Sequence, residues 1–185
     1  MKLDGPIFAM DLGTRTGFAC GMPGSIPRSG TMLLKQRGDK RSVAFGNLIA
    51  WLQAEWTKQR PVIIVKEAAL PLQGFKNTGN SEMGARMAYG LHAVVDGMAA
   101  RFGIYVTDMH PATVRKHFIG SGRMGDRDLT KGAVINRARL LKMIPRDCLD
   151  TDRADACALW DYAAAMIGGK AIGASELHLF GEAAE

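Results

Sequence analysis

Residues 7–21 read IFAMDLGTRTGFACG. An apolar run ends in Asp11, a turn rich in glycine and hydroxyls follows, and a second apolar run leads back. The pattern predicts two antiparallel strands, 6–12 and 17–22, joined at GTRTG. A carboxylate at a strand end beside such a turn has two uses. The turn can wrap the phosphates of a nucleotide, or the carboxylate can hold a metal ion for cutting a nucleic acid backbone. The stretch alone leaves both open.

Working outward, PGSIPRSG reads as a loop and GTMLLK (30–35) as a third strand. RGDKR leads into a helix over about 41–58, where Phe45, Leu48, Ile49, Leu52 and Trp56 recur at helical spacing. In PVIIVKEAAL, four β-branched residues, Val62 to Val65, make a buried strand that ends in Glu67. Asn80 or Ser81 can cap a helix over about 82–102, with Met83, Met87, Leu91, Val94, Val95 and Met98 on one face. GIYVTDMH is a further strand, and PATVRKHF a short helix with Pro111 in its first turn. A glycine-rich loop, IGSGRMGDRD, precedes a basic helix over about 129–143 that Pro145 ends. The last helix starts near Asp152 and stops at Gly168–Gly169. Three hairpin-linked strands followed by strand–helix crossovers predict an α/β fold. Its five-stranded sheet is mixed, an antiparallel meander joined to parallel strands, with helices on both faces. A chain of 185 residues fits one domain, with a core over about 6–168 and a peripheral tail over 170–185.

At 47% hydrophobic and 23% charged residues the chain can bury a real core. No apolar run reaches the ~20 residues that span a bilayer, and MKLDGPIF holds no signal-type apolar region. The expectation is a cytoplasmic protein with no membrane partner. Cys20, Cys148 and Cys157 lack metal-ligand spacing and read as reduced thiols. No two of His92, His110, His117 and His178 have zinc-ligand spacing. His117 can touch phosphate or be structural, and His110 suits packing or capping. Trp51, Trp56 and Trp160 fit helix packing. The apolar last helix can serve core or dimer interface.

The net charge is +6 and the pI about 9.4, an excess that points to polyanions. It is concentrated. Arg115, Lys116, Arg123, Arg127, Lys131, Arg137, Arg139, Lys142 and Arg146 face only Asp126 and Asp128 in between. A basic stretch can be a solvated helix face, but this one sits just before an acidic cluster. There, DTDRAD supplies Asp152 and Asp155, three apart and so able to share a helix face. Asp147 and Asp150 have the same spacing; Asp152 and Asp155 are preferred because the helical pattern begins with them. Strands joined by crossovers run parallel, so Asp11 and Glu67 can meet at one sheet edge. Taken singly, Asp11 can be a turn residue, Glu67 a polar strand end and Asp152 a helix-dipole partner. Together, gathered carboxylates repel one another unless cations lie between them. Hard oxygen donors suit Mg²⁺ or Mn²⁺, and two such ions can clamp the attacking and leaving oxygens of a phosphodiester.

With these residues the chain resembles the Holliday junction resolvases of the RuvC type, within the RNase H-like superfamily. The matching stretches are AMDLGTRTG, VIIVKE, FKNTGNSEMGARMAYG, VRKHFIGSG, the lysine of LTKGAV, and DRADACALW. The first also resembles the phosphate loop of sugar kinases and actin-like ATPases; the set in this order is specific. The resemblance implies a metal-dependent, structure-selective endodeoxyribonuclease, a homodimer acting on four-way or other branched DNA. Asp11, Glu67, Asp152 and Asp155 would bind two Mg²⁺, with Mn²⁺ substituting and Asp11 bridging. Paired nicks by in-line water attack would leave 5′-phosphate and 3′-hydroxyl ends. Lys131 and Arg115 would stand at the scissile phosphate, Lys131 as part of the catalytic set. Lys116, Arg123, Arg127, Lys76 and Arg86 are further DNA-binding candidates. The family's aromatic wedge position falls on Leu70, and Phe75 is the preferred substitute.

The chain also departs from the family pattern. Arginine stands at position 115 where lysine is commoner, which keeps the charge and changes its geometry. RMGDRD lengthens the step from GSG to Lys131, and ARMAYG replaces an arginine–glycine step. These features suggest a divergent, phage-like member with broader branch selectivity. Three other readings compete: an actin-like nucleotide binder, for which no second phosphate loop or adenosine motif is found; a non-cleaving branched-DNA binder on the same fold; and a nuclease for RNA or hybrid.

Overall fold

The structure, a computed structural model, describes residues 5–69, 82–122 and 124–168. Its strands are β1 (Ile7–Asp11), β2 (Arg15–Gly21), β3 (Arg28–Leu33), β4 (Ile63–Glu67) and β5 (Tyr105–Met109). Its helices are α1 (Arg41–Lys58), α2 (Glu82–Phe102), α3 (Pro111–Ile119), α4 (Arg127–Leu140) and α5 (Thr151–Gly168). The strands form one sheet in the order β3-β2-β1-β4-β5. β1–β2 and β2–β3 are antiparallel; β1–β4 and β4–β5 are parallel. This is the mixed sheet that the meander-then-crossover pattern predicts.

β1 is apolar up to Asp11, and β4 is apolar up to Lys66 and Glu67, because helices cover both sides of the sheet. Side chains alternate along each strand. Ile7, Ala9, Ile63 and Val65 enter a core with Val114 and Phe118 of α3, Val134 and Ile135 of α4, and Trp160 of α5. Phe8, Met10 and Ile64 enter a second core with Leu48, Leu52 and Trp56 of α1 and Leu91 and Val95 of α2. Trp51 closes that layer over the rings of Phe8 and Phe18. The apolar side of α5 is consumed inside the chain, since Ala154, Cys157, Leu159, Trp160 and Ala164 are all buried. The three cysteines are free thiols, and Cys20 and Cys157 are buried.

Three boundaries differ from the sequence reading. β2 starts at Arg15, because the Thr16 hydroxyl turns inward to the Gly13 carbonyl (2.8 Å) and closes the hairpin early. β3 starts at Arg28 and ends at Leu33. α4 stops at Leu140, before Pro145: Lys142 turns left-handed (φ 58°) and its N–H bonds Arg139. Proline therefore does not end that helix. The expected caps Asn80 and Ser81 lie outside the described residues.

One buried charge sits in the α1/α2 layer. Lys66, 3% exposed, alternates onto that side of β4. Its Nζ lies 2.6 Å from Asp108 of β5, 3.2 Å from Asp96 of α2 and 3.2 Å from Nδ1 of His92. Burial, then the Lys66 ammonium, holds His92 below the usual imidazole range against the pull of Asp108 and Asp96. A buried ammonium is tolerated only with partners, and an apolar replacement of both sides is often no worse. Met removes the buried charge and leaves Asp96 and Asp108 half exposed to water, so Lys66→Met is expected to unfold in urea within about 1 kcal/mol of the parent. Asp96→Asn with Asp108→Asn, which strands the ammonium, is expected to cost about 1–3 kcal/mol, less than a fully buried pair because both carboxylates are half exposed. A larger loss in Lys66→Met than in the double variant would contradict this account.

Candidate active site

The same alternation that turns Lys66 one way turns Glu67 the other. Asp11, two residues beyond Ala9, and Glu67, two beyond Val65, lie on the α3–α5 side. The parallel register pairs Met10 with Lys66, so Asp11 and Glu67 end adjacent strands side by side. Asp152 and Asp155 come to this edge in the first turns of α5. What admits them is Gly17, the partner of Asp11 across the β1–β2 ladder. A Cβ at Gly17 would lie 1.9 Å from the backbone oxygen of Asp152 and 2.3 Å from its carbonyl carbon. Only a bare backbone lets the helix start lie on the sheet there.

Asp150 locks that helix start. Its Oδ1 accepts the Arg153 N–H (3.2 Å), the bond of an N-cap. Its Oδ2 accepts the Thr31 hydroxyl (2.7 Å) and Arg15 Nη2 (2.5 Å). Burial would raise Asp150, yet the bonds from Thr31, Arg153 and Arg15 hold it below the usual carboxylate range. Asp147 is exposed in the turn before the helix. Asp152 is engaged differently. Arg15 Nε lies 3.2 Å from its Oδ2, and the Thr151 hydroxyl 3.5 Å from its Oδ1.

The gathered carboxylates feel one another. Burial, then Glu67, Asp155 and Asp152, pushes the Asp11 carboxyl well above the usual range, against Arg115. Burial also raises Glu67, with Arg115 opposing and Asp155 adding. Burial raises Asp155; Arg115, Lys131 and Arg127 oppose and Asp152 adds. Arg115 of α3 thus acts on three of the four acids. Lys131 of α4 reaches the helix start through the Thr151 hydroxyl at 3.3 Å. The donor set is all oxygen and short of positive charge, which fits hard divalent cations. Among the described residues, no three acid, imidazole or thiol groups are already drawn tightly enough to enclose an ion. Repelling side chains settle apart, and a cation between them removes the repulsion.

Of the other residues singled out by sequence, Lys116 is exposed on α3. Arg86 is exposed on α2, in the opposite layer, and pairs with Glu82. Leu70, Phe75, Lys76 and Arg123 lie outside the described residues. His117 is placed structurally, its Nε2 3.1 Å from Asp161 and its ring against Tyr162. His110 stands at the N-cap position of α3 without a side-chain cap bond. Sequence reading missed Arg15, Gly17 and the cap role of Asp150. The second glycine of DLGTRTG was the available signal for Gly17. Nothing local marks Arg15, whose partners lie 135 and 137 residues away.

No family model matches the chain, and no curated protein sequence does. Solved structures do. The chain has the RNase H-like fold of the Holliday junction resolvases. Thermus thermophilus RuvC superposes with a TM-score of 0.66 at 16% identity, covering 90% of this chain and 98% of RuvC. The same protein in complex with a Holliday junction substrate gives 0.64 at 14%, covering 88% and 97%. The yeast mitochondrial Holliday junction resolvase Ydc2 gives 0.59 at 10%, covering 97% and 83%. At these identities the likeness is one of fold.

Gly17→Ala is expected to cost about 1–3 kcal/mol or more in urea unfolding, because backbone must move to admit the methyl. Gly46→Ala, in the exposed middle of α1 with open space at its Cβ, should gain about 0.5–1 kcal/mol. Equal effects would refute the close approach at Gly17.

Asp11, Glu67 and Asp155 give up their protons at higher pH in the folded chain than in the unfolded chain, because burial and neighbouring acids raise them. From about pH 4 up to the raised folded values, the contribution of these groups to stability therefore falls as pH rises, and it is lowest above them. In EDTA, Asp11→Asn should show a flatter decline than the parent as pH rises from about 4. Parallel curves would count against a repelling cluster.

Proposed function

We propose that the protein is a divalent-metal-dependent endonuclease that nicks branched DNA, four-way junctions foremost. One observation carries this reading: four carboxylates from β1, β4 and α5 converge at one sheet edge, with Arg115 and Lys131 beside them. The shared fold with resolvases supports it. In this reading the chain works as one nuclease domain, cytoplasmic and homodimeric, with a role in DNA recombination or repair. No helix among the described residues is long and apolar enough to cross a membrane.

Asp11, Glu67, Asp152 and Asp155 would hold two Mg²⁺, with Mn²⁺ substituting. When bound, the ions would supply Lewis-acid stabilisation of in-line displacement at phosphorus. The rest falls to the chain. Asp11 feels the strand acid Glu67 and the helix acids Asp155 and Asp152, and in this reading it would be shared between the ions. Arg115 offers a planar fork to two phosphate oxygens. Lys131, tied to Thr151, presents a point charge over the start of α5. Asp150 and Thr31 keep that start from shifting. Lys116, Arg123, Arg127, Lys76 and Arg86 would follow duplex arms, and Phe75 would approach the branch point. The products would carry 5′-phosphate and 3′-hydroxyl ends.

The test is cleavage of a labelled immobile four-way junction in Mg²⁺ or Mn²⁺. Paired nicks across the branch are expected, abolished by Asp11→Asn. Lys131→Ala and Arg115→Ala should each slow nicking by about 10²–10³-fold while junction binding persists. Binding without nicks in either ion would replace this reading with a non-cleaving branched-DNA binder. No binding to DNA would redirect it to RNA.

A further inference from the structure

The Arg15 guanidinium spans two carboxylates that differ in how they are held. Nη2 lies 2.5 Å from Asp150 Oδ2, and Nε lies 3.2 Å from Asp152 Oδ2. Asp150 is anchored by the Thr31 hydroxyl and the Arg153 N–H, so it stays where it is. Among the described residues, Asp152 has Arg15 on one oxygen and a long contact from Thr151 on the other. The Arg15 side chain is 55% exposed, free to swing without unpacking the core.

We infer that Arg15 is an internal counter-cation that occupies Asp152 until a divalent cation replaces it, with Asp150 retaining the guanidinium afterwards. The inference rests on the metal-binding reading of Asp152. A guanidinium and a divalent ion cannot both take the same face of Oδ2, so each weakens the other. Before metal arrives, Arg15 offsets one member of a repelling set and ties β2 to the start of α5. After exchange, Nε is released at the rim of the site, where a phosphate oxygen is the group it would next meet. Asp150 makes the exchange reversible by keeping the side chain within reach.

The geometry predicts effects of opposite sign, which a purely structural role would not give. Mn²⁺ titration of the full chain, followed by calorimetry and by the free-ion spin-resonance signal, reads them without any substrate. Arg15→Gln should bind Mn²⁺ about two- to fivefold more tightly, the scale of an exposed ion pair removed. Asp150→Asn keeps a capping side chain but loosens the anchor, so Arg15 commits to Asp152 and Mn²⁺ binding weakens by a similar factor. The double variant should follow Arg15→Gln. Asp11→Asn tells whether the Mn²⁺ counted belongs to this cluster. Parent uptake lost in Asp11→Asn, with Arg15→Gln unchanged or weaker, overturns the inference and leaves the metal site standing. No uptake by the parent, or uptake indifferent to Asp11→Asn, overturns both.

Discussion

The contact on which the architecture turns is backbone against backbone: the first turn of α5 lying on β2 at Gly17. α5 is packed on β1 and β2 and flanked by α3 and α4. Its N-terminus is also where two of the four gathered acids reside. Packing and site therefore share one constraint. If the helix start were lifted by a methyl group, the core around Trp160 and the position of Asp152 and Asp155 would change together. The N-cap at Asp150 and its bond to Thr31 of β3 fix the same turn from the other side. The meander is thus more than a sheet edge; it is the bed on which the acidic helix is set.

Electrostatics runs against that packing. Holding carboxylates half-buried near one another costs stability, and the chain offsets the cost only in part, with Arg115, Lys131 and Arg15 around the rim. Such a deficit is what a site that receives cations must carry, because full internal neutralisation would leave nothing for an ion to do. The contrast with Lys66 is instructive. There the charge is met within the chain by Asp96, Asp108 and His92, and the cluster ties β4, β5 and α2 together. One charged group is balanced and architectural, the other group is left short of cations and open at a sheet edge.

Most of the topology was legible because the strands are short apolar runs punctuated by glycine and proline, and because the order of hairpins and crossovers restricts the sheet. Asp11 and Glu67 could be read as strand-end acids for the same reason. Spacing did not separate Asp147 and Asp150 from Asp152 and Asp155; the preference for the second pair came from where the helical pattern begins, and the helix does start at Thr151, with Asp150 just ahead of it accepting the Arg153 N–H. The end of α4 was misread because a left-handed Lys142 has no sequence signature comparable to Pro145. Arg15 and Gly17 acquire their meaning from contacts more than a hundred residues away, which no local pattern encodes. Arg86 has no other Lys or Arg near it in the sequence, and on α2 it pairs with Glu82 in the layer packed against α1.

Lys66 and Glu67 are successive residues of opposite charge, and the sheet separates them. Side chains in a strand exchange faces when the chain is shifted by one position. Insertion or deletion of a single residue within β4 would carry the ammonium into the acidic edge and drive the carboxylate in among Asp96 and Asp108. Either placement would silence the edge or unbalance the layer behind it. β4 is therefore a segment of fixed length. Changes in length among descendants of this chain would have to fall in the connections, such as the one from β4 to α2 and the glycine-rich step before α4. Those are the places where what the edge meets can vary while the edge itself stays constant.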